Sequence, residues 1–230
     1  MMECLNPFPI VFKDTYEFDF DKHKEKLDMI FSEIEPHNNT QLERGGGTSS
    51  VSRTYTDPPH EWPEFEDFKQ WLMDRTNMIA DIWNFDARCG LDITESWCNV
   101  HPRGAFTSKH HHQGVAIATS SYLSVPPDSG RFLIQNPYEH FKRSEPIREE
   151  YHMAQYDFIP IDVRTNDVLF FPGWLSHKTE KNAHDELRYV MSWNVSAMSP
   201  IERASPKEPR HVLGKRLMNQ GLQTHNYMRY

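Results

Sequence analysis

The spacing of the apolar residues changes near Glu95, and this change constrains the fold more than any other feature of the chain. Before it, apolar residues recur at helical spacing over residues 21–36 and 64–85. Helices followed by a series of strands predict a mainly β fold, a β-sandwich or jelly roll with the N-terminal helices packed outside. The strand-like runs, separated by turn residues, cover 95–101, 110–125, 131–136, 157–163, 167–171 and 187–198.

The chain has 230 residues, which suits a single domain with extensions. We expect residues 1–93 to form helices and loops that pack on the core, and residues 94–198 to form the jelly-roll core. Residues 199–230 form a basic C-terminal extension, with six Lys and Arg against two Glu from position 200 onward. A solvated tail and a partner-binding arm both fit this extension.

Composition excludes several classes of protein. Aromatic residues make up 13% of the chain, which argues against wholesale disorder. The net charge is −8, which disfavours a nucleic-acid binder. No apolar run approaches the length of a transmembrane helix, and the N-terminus has no signal-peptide pattern. The three cysteines form no C-x-x-C pair, so we expect a reducing, cytoplasmic location.

Three of the 13 histidines have the spacing of metal ligands. If residues 110–125 form one strand, His110 and His112 share a face and His111 points away. His177 comes just after Val168–Phe171, an apolar run that predicts a buried strand. Two ligands from one strand and a third from a distant strand can build a facial metal site with open positions.

Arg188 begins a segment of strong β propensity, and it shares one strand face with Val190, Ser192 and Asn194. An arginine on a buried face requires an anion, because an unpaired buried charge is very costly. The planar guanidinium suits a carboxylate. The partner of Arg188 is therefore either a bound carboxylate ligand or an Asp or Glu of the chain itself.

Together, these motifs resemble the Fe(II)- and 2-oxoglutarate-dependent oxygenases, and more closely a subfamily of them that is common in bacteria and their phages. The resemblance covers roughly residues 94–197 and implies a double-stranded β-helix, which is a jelly roll. It is carried by Ser96-Trp97-Cys-Asn99-Val-His-Pro-Arg-Gly104, His110-His-His112, Ser121-Tyr122-Leu-Ser-Val-Pro, Asp167-Val-Leu-Phe-Phe-Pro-Gly-Trp-Leu-Ser-His177, Arg188 and Ser-Trp-Asn194.

The resemblance implies that Fe(II) is held by His110, His112 and His177. Most of the superfamily has His-x-Asp or His-x-Glu at the first motif, whereas this chain has His-x-His, as the closer subfamily does. The third ligand is therefore either His112 or water. Exchanging a carboxylate for a neutral imidazole raises the net charge of the site by one and should alter its iron affinity.

The resemblance also implies the co-substrates 2-oxoglutarate and O2, and a dioxygenase that hydroxylates a substrate with release of succinate and CO2. Arg188, with Ser192 on the same face, would bind the distal carboxylate of 2-oxoglutarate. Asn99 and Tyr122 are candidates for the co-substrate or substrate pocket. Nothing in the sequence identifies the substrate. The oligomeric state is also open, and a homodimer is one of the alternatives. The polar loops 41–60 and 138–156 are expected to frame the mouth of the pocket.

Other functions remain open at this point. One is a three-histidine metal dioxygenase that needs no 2-oxoglutarate, and another is a non-catalytic jelly-roll module for binding or for a virion. A structural zinc site at Cys98 and His101 is disfavoured, because residues three apart on a strand point to opposite faces. Two further His-x-Glu pairs, at positions 23–25 and 184–186, lie in a charged helix and a polar turn and are set aside.

Overall fold

The computed structural model describes residues 3–4, 10–34, 45–86, 89–137 and 156–198. Helix α1 spans Phe20–Glu33 and helix α2 spans Glu66–Ile82, close to the two segments predicted from helical spacing. The side chain of Asp19 caps α1 by accepting a hydrogen bond from the N–H of Lys22. Short 3₁₀ helices occupy Ser50–Arg53, Pro59–Glu61 and Pro63–Phe65. No helix in these ranges is long and apolar enough to cross a membrane.

Within the described residues, ten strands form two antiparallel sheets. The larger sheet has the order β1-β2-β8-β5-β10-β4-β3, and the smaller has the order β7-β6-β9. The strands are β1 Glu3–Cys4, β2 Phe12–Thr15, β3 Thr48–Ser49, β4 Gly90–His101, β5 Ile117–Ser124, β6 Phe132–Gln135, β7 Phe158–Ile161, β8 Asp167–Pro172, β9 His177–Thr179 and β10 Arg188–Met198.

Apolar side chains lie on both faces of the large sheet and divide the core into two layers. Helices α1 and α2 cover the outer face, where Phe68 and Leu72 of α2 pack near Trp193 of β10. The second layer lies between the two sheets and includes Phe171 of β8 and Phe132 of β6. This arrangement confirms the mainly β fold with flanking helices.

One predicted strand was wrong in its first half. Residues 111–116 form a loop, β5 begins only at Ile117, and His110 makes a single isolated bridge. The loop turns at Gly114, whose φ of +77° is the left-handed region that glycine adopts readily. Residues 111–116 therefore contain a turn, although their sequence had predicted a strand. Strand β9 was also missed, because its three residues His177–Thr179 contain no apolar pattern.

Several expectations concern residues outside the described ranges. They are the end of the first helix at Pro36, most of the loop 138–156 and the basic extension 199–230.

Candidate metal centre and anion pocket

The imidazoles of His110, His112 and His177 come together at one end of the space between the sheets. One ligand nitrogen from each lies within 4.8 Å of the others, and they form the only such group of His, Cys, Asp and Glu in the described part of the chain. The backbones of His110 and His177 exchange two hydrogen bonds of 3.0 and 2.9 Å. The N–H of His112 donates to the carbonyl of Gly173 at 2.8 Å, which holds the loop against the end of β8.

The hydrogen bonds of these histidines define which ring nitrogen carries the proton. The Nδ1 atoms of His110 and His177 each lie 2.8 Å from the main-chain carbonyl two residues earlier. The Nδ1 atom of His112 lies 2.6 Å from Oδ1 of Asn194. Carbonyl oxygens only accept hydrogen bonds, so each Nδ1 carries a proton. Each Nε2 of a neutral ring therefore has a free lone pair.

This donor set fits a metal ion. The Nε2 atoms of His110 and His112 lie 3.2 Å apart, and no proton of a neutral ring lies between them. Burial lowers the pKa of His112 to about 4 and the pKa of His177 well below its usual value. It lowers the pKa of His110 as well. The rings are therefore neutral near pH 7, and a cation bound by all three would remove the repulsion between their lone pairs. Neutral imidazole is a suitable ligand for iron.

His111 is exposed, in agreement with the expectation that it points away from the cluster. The reason is different, because a turn of the loop and not strand alternation separates it from its neighbours. His23, which had been set aside as a ligand, stacks on Phe65 with ring centroids 4.3 Å apart. Cys98 and His101 are both buried on the unbroken strand β4. Cys98 belongs to the core under the helices while His101 lines the cavity, so they do not share a face.

A narrow cavity of about 50 Å³ extends from the histidine cluster between the two sheets. Three residues named from the sequence line it, namely Asn99, Tyr122 and Ser192, and Arg188 contacts Thr179 of its wall. The side-chain amide of Asn99 donates to the hydroxyl of Ser192 at 3.5 Å across β4 and β10.

Arg188 is completely buried. Its Nη1 donates to the main-chain carbonyls of Ser129 and Gly130, and its Nη2 donates to Oγ1 of Thr179 at 3.1 Å. Its Nε has no hydrogen-bond partner, and no carboxylate of the described residues lies within 4.0 Å of the guanidinium. An internal salt bridge is therefore not formed within this part of the chain, and burial lowers the pKa of Arg188.

Further buried polar atoms lie close to Arg188. The hydroxyl of Tyr122 and Nδ1 of His101 have no hydrogen-bond partner among the described residues. Thr179 Oγ1 accepts from Arg188 and also from the N–H of Thr107 at 2.8 Å, so the proton of its hydroxyl remains available. A buried positive charge beside unused hydroxyl donors in the wall of a cavity fits a carboxylate of a bound molecule.

Two more residues of the site were given no role from the sequence. Asn194 accepts from His112 and donates through Nδ2 to Oε2 of Glu95 at 2.7 Å. Position 194 lies on the same strand face as Arg188, and this shared face is the sequence feature that indicates a place in the site for Asn194. No sequence pattern distinguishes Glu95 from the many other acidic residues. Glu95 lines a second, more open depression of about 210 Å³, which His110 and His112 also line.

Residues 95–194 match the family described as "Putative 2OG-Fe(II) oxygenase". No curated protein matches the sequence.

Solved structures show the same fold at low sequence identity. A prolyl-4-hydroxylase from Pseudomonas putida has a TM-score of 0.53 and 13% identity, over 82% of this chain and 93% of that chain. A viral collagen prolyl hydroxylase from Paramecium bursaria Chlorella virus-1, in complex with 2-oxoglutarate, has a TM-score of 0.52 and 10% identity, over 82% and 97%. HygX from Streptomyces hygroscopicus, with nickel, 2-oxoglutarate and hygromycin B bound, has a TM-score of 0.51 and 14% identity, over 81% and 82%.

The matched segment contains all three clustered histidines and Arg188, and it coincides with the jelly-roll core. The enzymes of this family are oxidoreductases that use Fe(II), 2-oxoglutarate and O2. The resemblance seen in the sequence is thereby confirmed: residues 95–194 match the 2-oxoglutarate–Fe(II) oxygenase family.

Proposed function

We propose that this protein is a dioxygenase that hydroxylates an as yet unidentified substrate and releases succinate and CO2. The observation that carries the proposal is the arrangement of two complementary sites in one cavity. Three imidazole lone pairs converge beside it, and a buried arginine, which has no carboxylate partner among the described residues, contacts Thr179 of its wall. A metal ion and a dicarboxylic acid together would satisfy both.

His110, His112 and His177 would hold the iron through Nε2. Between the two alternatives for the third ligand, we favour His112 over water. Its Nε2 lies 3.2 Å from that of His110, so both lone pairs can bind the same metal ion. The hydrogen bond that each Nδ1 donates keeps its ring in the tautomer that can bind metal and limits the rotation of the ring.

Arg188 would bind the distal carboxylate of 2-oxoglutarate through its unused Nε–H. The hydroxyls of Tyr122 and Thr179 and the Nδ1 of His101 would donate the remaining hydrogen bonds. Ser192 and Asn99 would contact the molecule along the wall of the cavity. When bound, the iron and 2-oxoglutarate supply the oxidative chemistry, in which one oxygen atom of O2 enters succinate and the other enters the substrate.

The substrate would approach from the open depression on the other side of the histidines. Trp97 and Val51 line both this depression and the cavity, and Tyr55 forms part of its rim with 82% of its surface exposed. The described part of the loop 41–60 thus contributes to the mouth of the site. The buried co-substrate side excludes bulk water, while the exposed rim leaves room for a larger molecule.

An anaerobic titration with Fe(II) and then 2-oxoglutarate tests this proposal. The expected result is one iron per chain, followed by a visible charge-transfer band when 2-oxoglutarate chelates the bound metal. Admission of O2 should then yield succinate slowly even without substrate. Iron binding without the band would favour a three-histidine dioxygenase that needs no 2-oxoglutarate, and absence of iron binding would favour a binding module.

We further propose that residues 94–198 form the catalytic core and that 1–93 and 199–230 are extensions of the same domain. The scarcity of cysteines and the need to keep iron reduced support a cytoplasmic location. The negative net charge supports a partner other than nucleic acid. Activity of a chain that lacks residues 199–230 would test the domain limits, and the mass of the protein in solution would show whether it is a homodimer.

A further inference from the structure

We propose that Glu95 is a positioning residue of the iron site, which acts through Asn194 to hold His112 in the tautomer that binds metal. The inference rests on the proposed function, because it takes His112 as a ligand. His112 stands where most members of the superfamily have a metal-binding Asp or Glu. The site would therefore still contain a carboxylate, that of Glu95, which is linked to His112 through two hydrogen bonds.

The three residues form a continuous hydrogen-bonded chain. Asn194 and Glu95 are direct partners in the ladder between β10 and β4. Nδ2 of Asn194 lies 2.7 Å from Oε2 of Glu95, and its Oδ1 lies 2.6 Å from Nδ1 of His112. The other carboxylate oxygen of Glu95 accepts a hydrogen bond of 2.8 Å from the hydroxyl of Tyr55. Both ends of the carboxylate are thus held in place.

The direction of this chain follows from the chemistry of its first member. An ionised carboxylate only accepts hydrogen bonds, so the NH₂ group of Asn194 must face Glu95. The carbonyl oxygen of Asn194 then faces His112, which must donate from Nδ1. His112 is left with an unprotonated Nε2, which is the atom directed at His110.

The tautomer of His112 depends on the orientation of a side-chain amide, whereas the tautomers of the other two histidines do not. His110 and His177 donate to main-chain carbonyls, which cannot become donors. A side-chain amide can rotate by half a turn and present its NH₂ group instead. If Asn194 did so, His112 would accept at Nδ1 and carry its proton at Nε2, where it blocks metal binding. Glu95 makes that rotation unfavourable.

The test compares three variants in the full-length, metal-free protein. Glu95→Ala removes the acceptor. Glu95→Gln removes the charge but keeps an oxygen for Asn194 and can place its NH₂ group toward the hydroxyl of Tyr55. Asp92→Ala, which removes an exposed carboxylate of the same strand, is the matched control. Long-range ¹H–¹⁵N NMR reports the tautomer of each imidazole, and loss of a signal in His112→Gln assigns His112.

We expect His112 to be in the single Nδ1–H tautomer in the wild type, in Glu95→Gln and in Asp92→Ala. In Glu95→Ala it should become a mixture of both tautomers. Anaerobic calorimetry with Fe(II) should show an affinity reduced by about 10- to 100-fold in Glu95→Ala, as for other residues behind metal ligands. Glu95→Gln should recover most of this loss.

A single Nδ1–H tautomer in Glu95→Ala would overturn the proposal. So would a mixture in Glu95→Gln as large as in Glu95→Ala, because the effect would then come from charge and not from amide orientation. The NMR measurement needs no metal, so it decides the role of Glu95 even if the wild type binds no iron. In that case the proposed function would fail separately.

Discussion

The N–H and C=O groups of His110 and His177 pair with each other, in two hydrogen bonds between residues far apart in the chain. This pairing places their ring centroids 4.3 Å apart. The metal centre is therefore built by backbone pairing between a loop and the first residue of β9. His112 joins it from the same loop, and its position depends on the contact of that loop with Gly173.

His177→Ala is expected to abolish Fe(II) binding, because two imidazoles alone leave the cluster with a single chelating pair. The metal content after anaerobic loading and desalting measures this. The matched control is His111→Ala, since His111 is exposed and should leave the iron content near that of the wild type. Unchanged iron in His177→Ala would refute the ligand assignment, whereas lost iron in His111→Ala would show that the loop was assigned the wrong orientation.

Arg188→Met is expected to weaken 2-oxoglutarate binding while iron still binds. Loss of one partner of a buried, hydrogen-bonded charge pair costs about 2–5 kcal/mol, so the affinity should fall by roughly thirtyfold or more. Titration of the anaerobic iron-loaded protein measures the change. Arg103→Met is the control, since Arg103 is 65% exposed and pairs with Asp185 at the surface. An unaltered affinity in Arg188→Met would mean that Arg188 is only structural.

Tyr122→Phe is expected to weaken 2-oxoglutarate binding without lowering the stability of the ligand-free protein. The hydroxyl of Tyr122 is buried and has no partner in the described part of the chain, so its removal should not lower the free energy of unfolding of the ligand-free protein. A hydrogen bond to a charged carboxylate contributes about 1.5–3 kcal/mol, so 2-oxoglutarate affinity should fall by about tenfold or more. Chemical denaturation and ligand titration measure the two quantities. A clear loss of stability with unchanged affinity would contradict this role.

The ligand-free protein is expected to lose stability as the pH falls from about 6.5 toward 4. Burial lowers the pKa of His112 to about 4, so in this window the unfolded chain binds a proton that the folded chain does not. Stability therefore rises with pH through the window and falls on acidification. The contribution of His112 should be about 1–3 kcal/mol. Denaturation at several pH values should give a smaller slope for His112→Gln, and an equal slope would contradict the prediction.

Gly173→Ala is expected to lower both stability and iron affinity. A Cβ atom at this position would lie 2.4 Å from the carbonyl oxygen of Val115 and 2.7 Å from that of His112, so the loop would have to shift. We expect a loss of more than about 1 kcal/mol of stability. Gly114→Ala is the control in the same loop, because it meets only the strain of a positive φ and no neighbouring atom. Equal iron affinities in both variants would contradict the role of Gly173.

Much of the fold could be predicted from the spacing of apolar residues. The alternation along β10 places Tyr189, Met191 and Trp193 under the helices and Arg188 and Ser192 toward the other sheet, as the pattern predicted. The same reasoning failed at residues 110–116, because a polar segment with the composition of a strand contains a turn at Gly114. Periodicity reports the environment of side chains, and it carries little information where that environment is a polar cavity.

The sequence by itself determined the class of fold, the two helices, the candidate ligands and the need of Arg188 for an anion. These follow from local chemistry, because apolar periodicity and a buried charge are properties of short segments. Only the tertiary structure decided which groups share a cavity. It brought Tyr122, Thr179 and His101 around Arg188 and placed Glu95 and Asn194 behind His112. Such contacts depend on strand register and on the path of the loops, which arise from packing between segments distant in the chain.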